Sequence, residues 1–252
     1  MNITKKIFAV LETFLDHGDE LSLEEIARMS GTTKPTARRI ALSLVECGYL
    51  VQPKKRGKYS LGMKFLDYSG AIKMHNTILT VATPVMIELR QVVNESVTLA
   101  IWDGTKTALC RSFMSDHPLR VSPDEGSRLV FHASSVGKAL LAALPEQEVR
   151  HYLTFPLQRF TPNTIVDLDD LMMQLRKYRR EGIAYDDEEY YPGVRGVSSA
   201  IMNPNGNVVG AIGVLGPSMR MTRARWREVG EMVKERAETI ARLLADGRAP
   251  AE

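Results

Sequence analysis

An α+β chain is what the sequence predicts, and three observations carry that expectation. Apolar residues recur at helical spacing through the first twenty positions, and again on either side of a break at Ser30-Gly31-Thr32. Two short β-prone runs follow directly, Tyr49-Leu50-Val51 and Lys58-Tyr59-Ser60-Leu61, around the turn Pro53-Lys54-Lys55-Arg56-Gly57. Further on, strand-like runs alternate with helix-like ones, and several strands are joined by tight turns. That pattern favours helices packed on a mostly antiparallel sheet.

Length and composition bound the possibilities. At 252 residues, with 44% hydrophobic and 25% charged content, the chain has room for one large domain or two ordinary ones with a sizeable core. No apolar run approaches the roughly 20 residues that span a bilayer. The N-terminal stretch has Glu12 and Asp16 inside its apolar pattern, so it reads as an amphipathic helix rather than a secretory signal. With only two cysteines, Cys47 and Cys110, in separate halves, the expected compartment is the cytoplasm and the expected cofactor is none.

In chain order, Ile3, Ile7, Val10, Leu11, Phe14 and Leu15 supply a first helix. Ser22 then reads as an N-cap, with Glu25 closing a capping box and Leu21 set against Ile26 as a hydrophobic staple. After the break, Thr33 can cap a third helix whose first turn tolerates Pro35, and Gly48 is placed to end it. On that helix Ala37, Ile40, Ala41 and Leu44 share one face, so Pro35, Arg39 and Ser43 point outward, flanked by Thr36 and Arg38. Three helices and a hairpin with a cationic tip make a winged helix-turn-helix.

In such a unit the last helix enters the major groove and the wing reaches phosphates. Between Arg28 and Lys64 there are nine Lys/Arg and one acid, Glu46, against a net charge of +3 for the whole chain. The candidate DNA-binding residues are therefore Thr33, Lys34, Pro35, Thr36, Arg38, Arg39, Ser43, Lys54, Lys55, Arg56 and Lys58, with palindromic duplex DNA as the expected partner. The alternative is a winged helix used for protein contact, acting without DNA.

Residues 63–81 read as a structured linker helix with no Gly/Ser-rich tether, and a second helix is expected after a break near Pro84. The expected domains are thus 1–62, DNA-binding; 63–81, linker; and 82–252. In the last of these, Ser96–Trp102 and Thr107–Phe113 form a hairpin through Asp103-Gly104, and 119–122 and 127–130 are further strand candidates. Ser134 and Ser135 open a helix over 137–142, and Asp167 opens another that runs to Gly182. Val197–Met202 and Val208–Val214 pair across Asn203-Pro204-Asn205-Gly206, and Thr222 caps a closing helix with Trp226, Val229, Val233, Ala237, Ile240 and Leu244 on one stripe.

The winged helix, the linker, the run from Phe131 to Ala142, the run from Gly182 to Glu189 with Pro192-Gly193-Val194, and Asn207–Ala211 through Gly216-Pro217 together resemble the IclR family of bacterial transcription regulators. The resemblance covers essentially the whole chain. It implies a GAF-like, antiparallel-sheet effector-binding domain that takes a small metabolite, commonly an organic acid, in a homodimer or dimer of dimers with no membrane association and no enzymic activity. The effector residues it implies are Leu129, Phe131, Ser135, Gly137, Tyr185, Asp186, Gly196, Ser198, Ala200, Gly213 and Leu215. Many relatives carry polar side chains where this chain has Gly196, Gly213 and Leu215. A roomier pocket and a bulkier or partly apolar ligand are expected from that departure.

Other chemistry weighs less. Ser134 or Ser135 with His132 and Asp186 could be assembled into a nucleophilic set, but no strand-turn-helix nucleophile signature accompanies them. A helix N-cap is the plainer role for the serines. Asp186, Asp187, Glu188 and Glu189 read as an acidic loop. Histidines at 17, 75, 117, 132 and 151 lack metal-ligand spacing, and Cys110 reads as a core residue.

Overall fold

The computed structural model describes residues 2–17, 20–54, 57–71, 73–102, 104, 107–127 and 129–246. The chain divides into two compact units, Met1–Lys73 and Met74–Glu252.

The first unit holds α1 (Ile3–His17), α2 (Leu23–Met29), α3 (Lys34–Glu46), β1 (Leu50–Val51), β2 (Ser60–Leu61) and α4 (Lys64–Ala71). The capping box at Ser22 forms as read. The Glu25 amide donates to Ser22 Oγ at 3.3 Å, and the Ser22 amide donates to the Glu25 carboxylate at 2.8 Å. Leu21 and Ile26 are both buried, and Leu21 exchanges two backbone hydrogen bonds with Tyr59, so the returning strand of the wing is tied to the entry of α2.

Helix α3 ends in a Schellman arrangement. Tyr49 N donates to Leu44 O and Gly48 N to Val45 O, with Gly48 at φ +80°, a conformation that glycine adopts without steric cost. Val10, Phe14, Ile26, Ala37, Ile40, Ala41, Leu44 and Leu50 form the core. Burying Ile26 contributes about 1.5–3 kcal/mol, and truncating it to Ala would cost about 2–5 kcal/mol with the cavity included.

The second unit holds α5 (Lys73–Val93), β3 (Ser96–Trp102), β4 (Thr107–Phe113), α6 (Ser135–Ala143), α7 (Leu168–Glu181), β5 (Ala184–Asp187), β6 (Val194–Met202), β7 (Val208–Pro217) and α8 (Arg223–Ala245). Its sheet is antiparallel throughout, in the order β4-β3-β7-β6-β5. Period-two alternation sends Val97, Leu99, Ile101, Val197, Ile201, Ile212 and Val214 to one face, against α5 and α8. Ala100, Trp102, Ala184 and Ala211 go to the other, against α6 and α7.

Three expectations fail locally. No break occurs at Pro84, and α5 runs through it. A proline inside a helix costs about 3 kcal/mol, but Val81, Ala82, Val85, Met86 and Leu89 around it are all buried, and that burial offsets the cost. Residues 119–122 and the described part of 127–130 are not strands. They belong to a loop along the free edge of β4, held by Gly126 N to Leu109 O at 2.7 Å, Ser112 N to the Glu125 carboxylate at 2.8 Å and Ser96 Oγ to Val121 O at 2.6 Å. The acidic run begins inside a strand, because Asp186 and Asp187 belong to β5 and pair with Gly196 and Arg195. Asp103, in the expected hairpin turn, lies outside the described residues.

Candidate nucleic-acid interface and effector face

On α3 the apolar stripe Ala37, Ile40, Ala41 and Leu44 is buried, which turns Pro35, Arg38, Arg39 and Ser43 into solvent and leaves Thr36 half-buried. Thr33 occupies the N-cap position with extended backbone, but its hydroxyl pairs with that of Thr36 at 2.9 Å instead of capping an amide. Lys34 is ion-paired with Glu24 of α2, and both side chains are exposed. Solvent screens such an exposed pair, so Lys34 can exchange Glu24 for a phosphate at little cost. Lys54 and Lys58 stand exposed on the wing, whose base is closed by Gln52 Nε2 donating to Gly57 O at 2.9 Å. Lys55 and Arg56 lie outside the described residues. The described cations occupy the outer face of α3 and the wing, as a phosphate-tracking surface requires.

In the second unit, the serine pair that opens α6 divides its work. Ser134 is the cap, accepting from Gly137 N at 3.1 Å and donating to Val130 O at 2.7 Å. Ser135 turns into the sheet, and its Oγ lies 2.8 Å from Ser198 Oγ on β6. Ser198 stands opposite Gly213 on β7, which stands opposite Thr98 on β3; Gly196 stands opposite Leu215, and Ala200 opposite Ala211. Strand parity therefore collects Thr98, Gly196, Ser198, Ala200, Gly213 and Leu215 on the α6 face. Thr98 is fully buried there and is an addition to the residues read from sequence.

Two of the expected effector residues point elsewhere. Tyr185 lies on the opposite face of β5, its ring centroid 4.4 Å from that of Trp226 and its hydroxyl near Gly230 of α8. Phe131 is half-buried against Trp102 at 5.9 Å and Tyr152 at 6.1 Å. Leu129 and Ala200 are half-buried at the α6/α7 core. Gly137 is required by close packing, since a Cβ there would stand 2.5 Å from Phe131 Cα.

The expected extra volume at the glycines is taken up. A Cβ on Gly213 would lie 2.2 Å from Ser198 Oγ, and one on Gly196 would lie 2.6 Å from Ser135 Oγ and 2.7 Å from Leu215 Cδ2. The space at these two glycines is filled by the two serines and Leu215.

Asp186, an expected effector residue, joins Glu189 in a charged cluster around Lys138, the partner that the sequence reading missed. Lys138, completely buried in the middle of α6, is ion-paired with Glu189 and lies 5.7 Å from the centre of the Tyr178 ring. Asp186 is buried beside them and accepts the Glu189 amide at 2.8 Å. Burial pushes the Asp186 carboxyl up to about 7, against the opposing pull of the Lys138 charge. Burial likewise raises Glu189 and lowers Lys138, even though each favours the charged form of the other. Glu189 Oε2 is buried with no hydrogen-bond partner among the described residues.

The segment is pinned from outside as well. Thr161 and Thr164 donate to the Glu188 and Glu189 carbonyls at 2.7 and 2.6 Å, and Arg195 donates to Asp187 at 2.7 Å. In the run 186–189 Asp186 and Glu189 are thus buried, and Asp187 and Glu188 are half-buried and bonded, so it is not a freely solvated acidic loop. The available signal was Lys138 itself, a cation on an otherwise apolar helix, which needs a buried acid. His132 donates to Gln158 O at 2.8 Å. Among the described residues, no three His, Cys, Asp or Glu side chains are placed to hold a metal ion.

Comparison with known proteins agrees with both units. Residues 71–242 match the model described as bacterial transcriptional regulator IclR C-terminal, and residues 4–54 match the IclR helix-turn-helix domain. The chain belongs to the IclR family. Among IclR relatives, the HTH-type transcriptional repressor AllR of Escherichia coli strain K12 is 32% identical over 237 residues, 94% of this chain and 88% of the relative. The AllR of Salmonella typhi is 32% identical over 94% of this chain and 87% of the relative.

A putative IclR regulator from a Silicibacter species superposes with a TM-score of 0.86 at 25% identity, covering 97% of each chain. An IclR homologue from Microbacterium hydrocarbonoxydans, solved in complex with 4-hydroxybenzoate, superposes with a TM-score of 0.81 at 26% identity, covering 96% of this chain and 99% of that one. The chain is thus an IclR-family transcriptional regulator with a helix-turn-helix DNA-binding domain. Among the described residues, no helix is long and apolar enough to cross a membrane.

Proposed function

We propose that this IclR regulator is a ligand-responsive repressor of the cytoplasm. Residues 1–62 bind a palindromic operator, 63–81 connect, and 82–252 take a small carboxylate effector; the active form is a homodimer or a dimer of dimers, and the chain has no catalytic role. The observation that carries the DNA reading is the exposed basic face of α3, Arg38 and Arg39, standing over the buried Ala37, Ile40, Ala41 and Leu44. Repressor action is supported by the printed names of the AllR relatives.

The effector reading rests on Ser135 and Ser198, whose hydroxyls meet under the N-terminal turn of α6, where amides and the helix dipole favour an anion. Thr98, Gly196, Gly213 and Leu215 share that face of the sheet. The relative bound to 4-hydroxybenzoate supports the same ligand class. Fluorescence anisotropy against promoter and random duplex tests the DNA arm, with an Arg38→Ala, Arg39→Ala double variant expected to lose preference for the promoter. A thermal-shift screen of aliphatic and aromatic carboxylic acids tests the effector arm, because a ligand that prefers the folded state raises its stability.

A further inference from the structure

A concavity in the C-terminal unit lies apart from the serine pair, where the sheet edge opens. Strand β5 pairs with β6 only as far as Ala184 opposite Ser198, so the rest of β6, paired with β7 on one edge, has no strand on its other edge. Helix α7 ends at that point, with Gly182 in the left-handed region at φ +77° and its amide donating to Tyr178 O at 2.7 Å. The gap between strand edge and helix end is a cleft of about 330 Å³, floored by Ala142, Ala184, Ala200 and Met202 and walled on the α8 side by Lys234. Its volume is at the lower end of the range of small-molecule sites. Ala200 is the only residue it shares with the effector residues read from sequence.

Lys234 supplies the polar anchor. It is half-buried, and its stem lies across Gly182, with Cε 3.2 Å and Nζ 3.6 Å from where a Cβ would stand on that glycine. The glycine therefore serves both the helix stop and the passage of the lysine. Among the described residues the ammonium has no carboxylate within ion-pair reach, Glu238 on the next turn included. The other rim cation, Arg179, is committed to the C-terminal end of α6, donating to Ala142 O at 2.7 Å and to Leu144 O. A half-buried, unpaired cation at the mouth of a largely apolar cleft is complementary to an acid with an apolar tail.

We propose that this cleft is a second small-molecule site, which takes an aliphatic monocarboxylate with its carboxylate on Lys234 and its chain along Ala142, Ala200 and Met202. The test is calorimetric titration of the full chain with hexanoate and with the neutral 1-hexanol, alongside the Met202 methyl resonance in protein labelled at methionine methyls. Hexanoate should bind saturably, shift the Met202 signal, and bind about tenfold more tightly than 1-hexanol. Lys234→Met should remove that preference while leaving 1-hexanol binding unchanged, and Ala143→Phe, which fills the cleft, should weaken both. Should Ala143→Phe fail to fold, the lysine variant still decides. The proposal is overturned by an absence of saturable binding, by a hexanoate affinity unaltered in Lys234→Met, or by a loss of binding in Ser198→Ala with Lys234→Met unaffected. That last result would move the acid to the serine site and leave the effector reading standing.

Discussion

Ser135 Oγ and Ser198 Oγ face each other at 2.8 Å between the first turn of α6 and the middle of β6, and Gly213 gives that contact its room. A Cβ on Gly213 would lie 2.2 Å from Ser198 Oγ and 3.1 Å from Val197 O. Gly213→Ala should therefore destabilise the protein by about 1–3 kcal/mol through overpacking. Adding Ser198→Gly should return part of that loss, and a urea-denaturation double-mutant cycle measures the coupling. Additive single effects would show that the serine hydroxyl does not set the spacing.

Arg39 and Lys58 should separate recognition from adhesion. Arg39→Ala is expected to cost about 1–3 kcal/mol on the cognate operator and to relax sequence preference. Lys58→Ala should weaken all duplexes alike and reduce the salt slope by about one unit. Anisotropy titrations at several salt concentrations read both quantities.

Asp186 makes stability depend on pH. Its folded-state value of about 7 stands above the ordinary 3.8, so the folded chain holds this proton more tightly than the unfolded one. Its contribution to stability is complete at acid pH, falls as pH rises from about 4 to about 7, and is level above that. Asp186→Asn keeps an oxygen for the Glu189 amide and removes the titration, so the variant should gain on the wild type by about 2–4 kcal/mol between pH 5 and pH 8. Urea midpoints at the two pH values decide it, and parallel pH dependence in the two proteins would remove Asp186 as the cause.

Lys138 and Glu189 should behave as one unit. Lys138→Met leaves a buried carboxylate without its cation and should cost about 3–5 kcal/mol near neutral pH, less in acid where Glu189 protonates. The pair Lys138→Met, Glu189→Gln should recover much of that loss, because neither buried charge remains. Denaturation of the two single variants and the double variant gives the coupling energy. A double variant as unstable as Lys138→Met would mean that packing, not charge, makes the lysine necessary.

Much of this protein was legible in the chain. The Ser22 to Glu25 capping box, the α3 stripe, Gly48, Asp167, Gly182 and Thr222 are local signals, set by hydrogen bonds and backbone sterics within a few residues, so they read correctly without tertiary context. The antiparallel sheet was readable for a similar reason, since period-two alternation and the turn at 203–206 set the pairing of β6 with β7. What only the tertiary structure decided depends on partners distant in sequence. Pro84 stays helical because its neighbours on α5 are buried. The acidic run folds inward because Lys138, about fifty positions earlier, is buried where its charge needs a carboxylate. Tyr185 and Asp186 go to opposite faces of β5 because strand parity separates neighbours, and the glycines at 196 and 213 leave no extra room because serines from α6 and β6 occupy it. Local chemistry chose the elements, and the low dielectric of the interior chose which side chains had to meet.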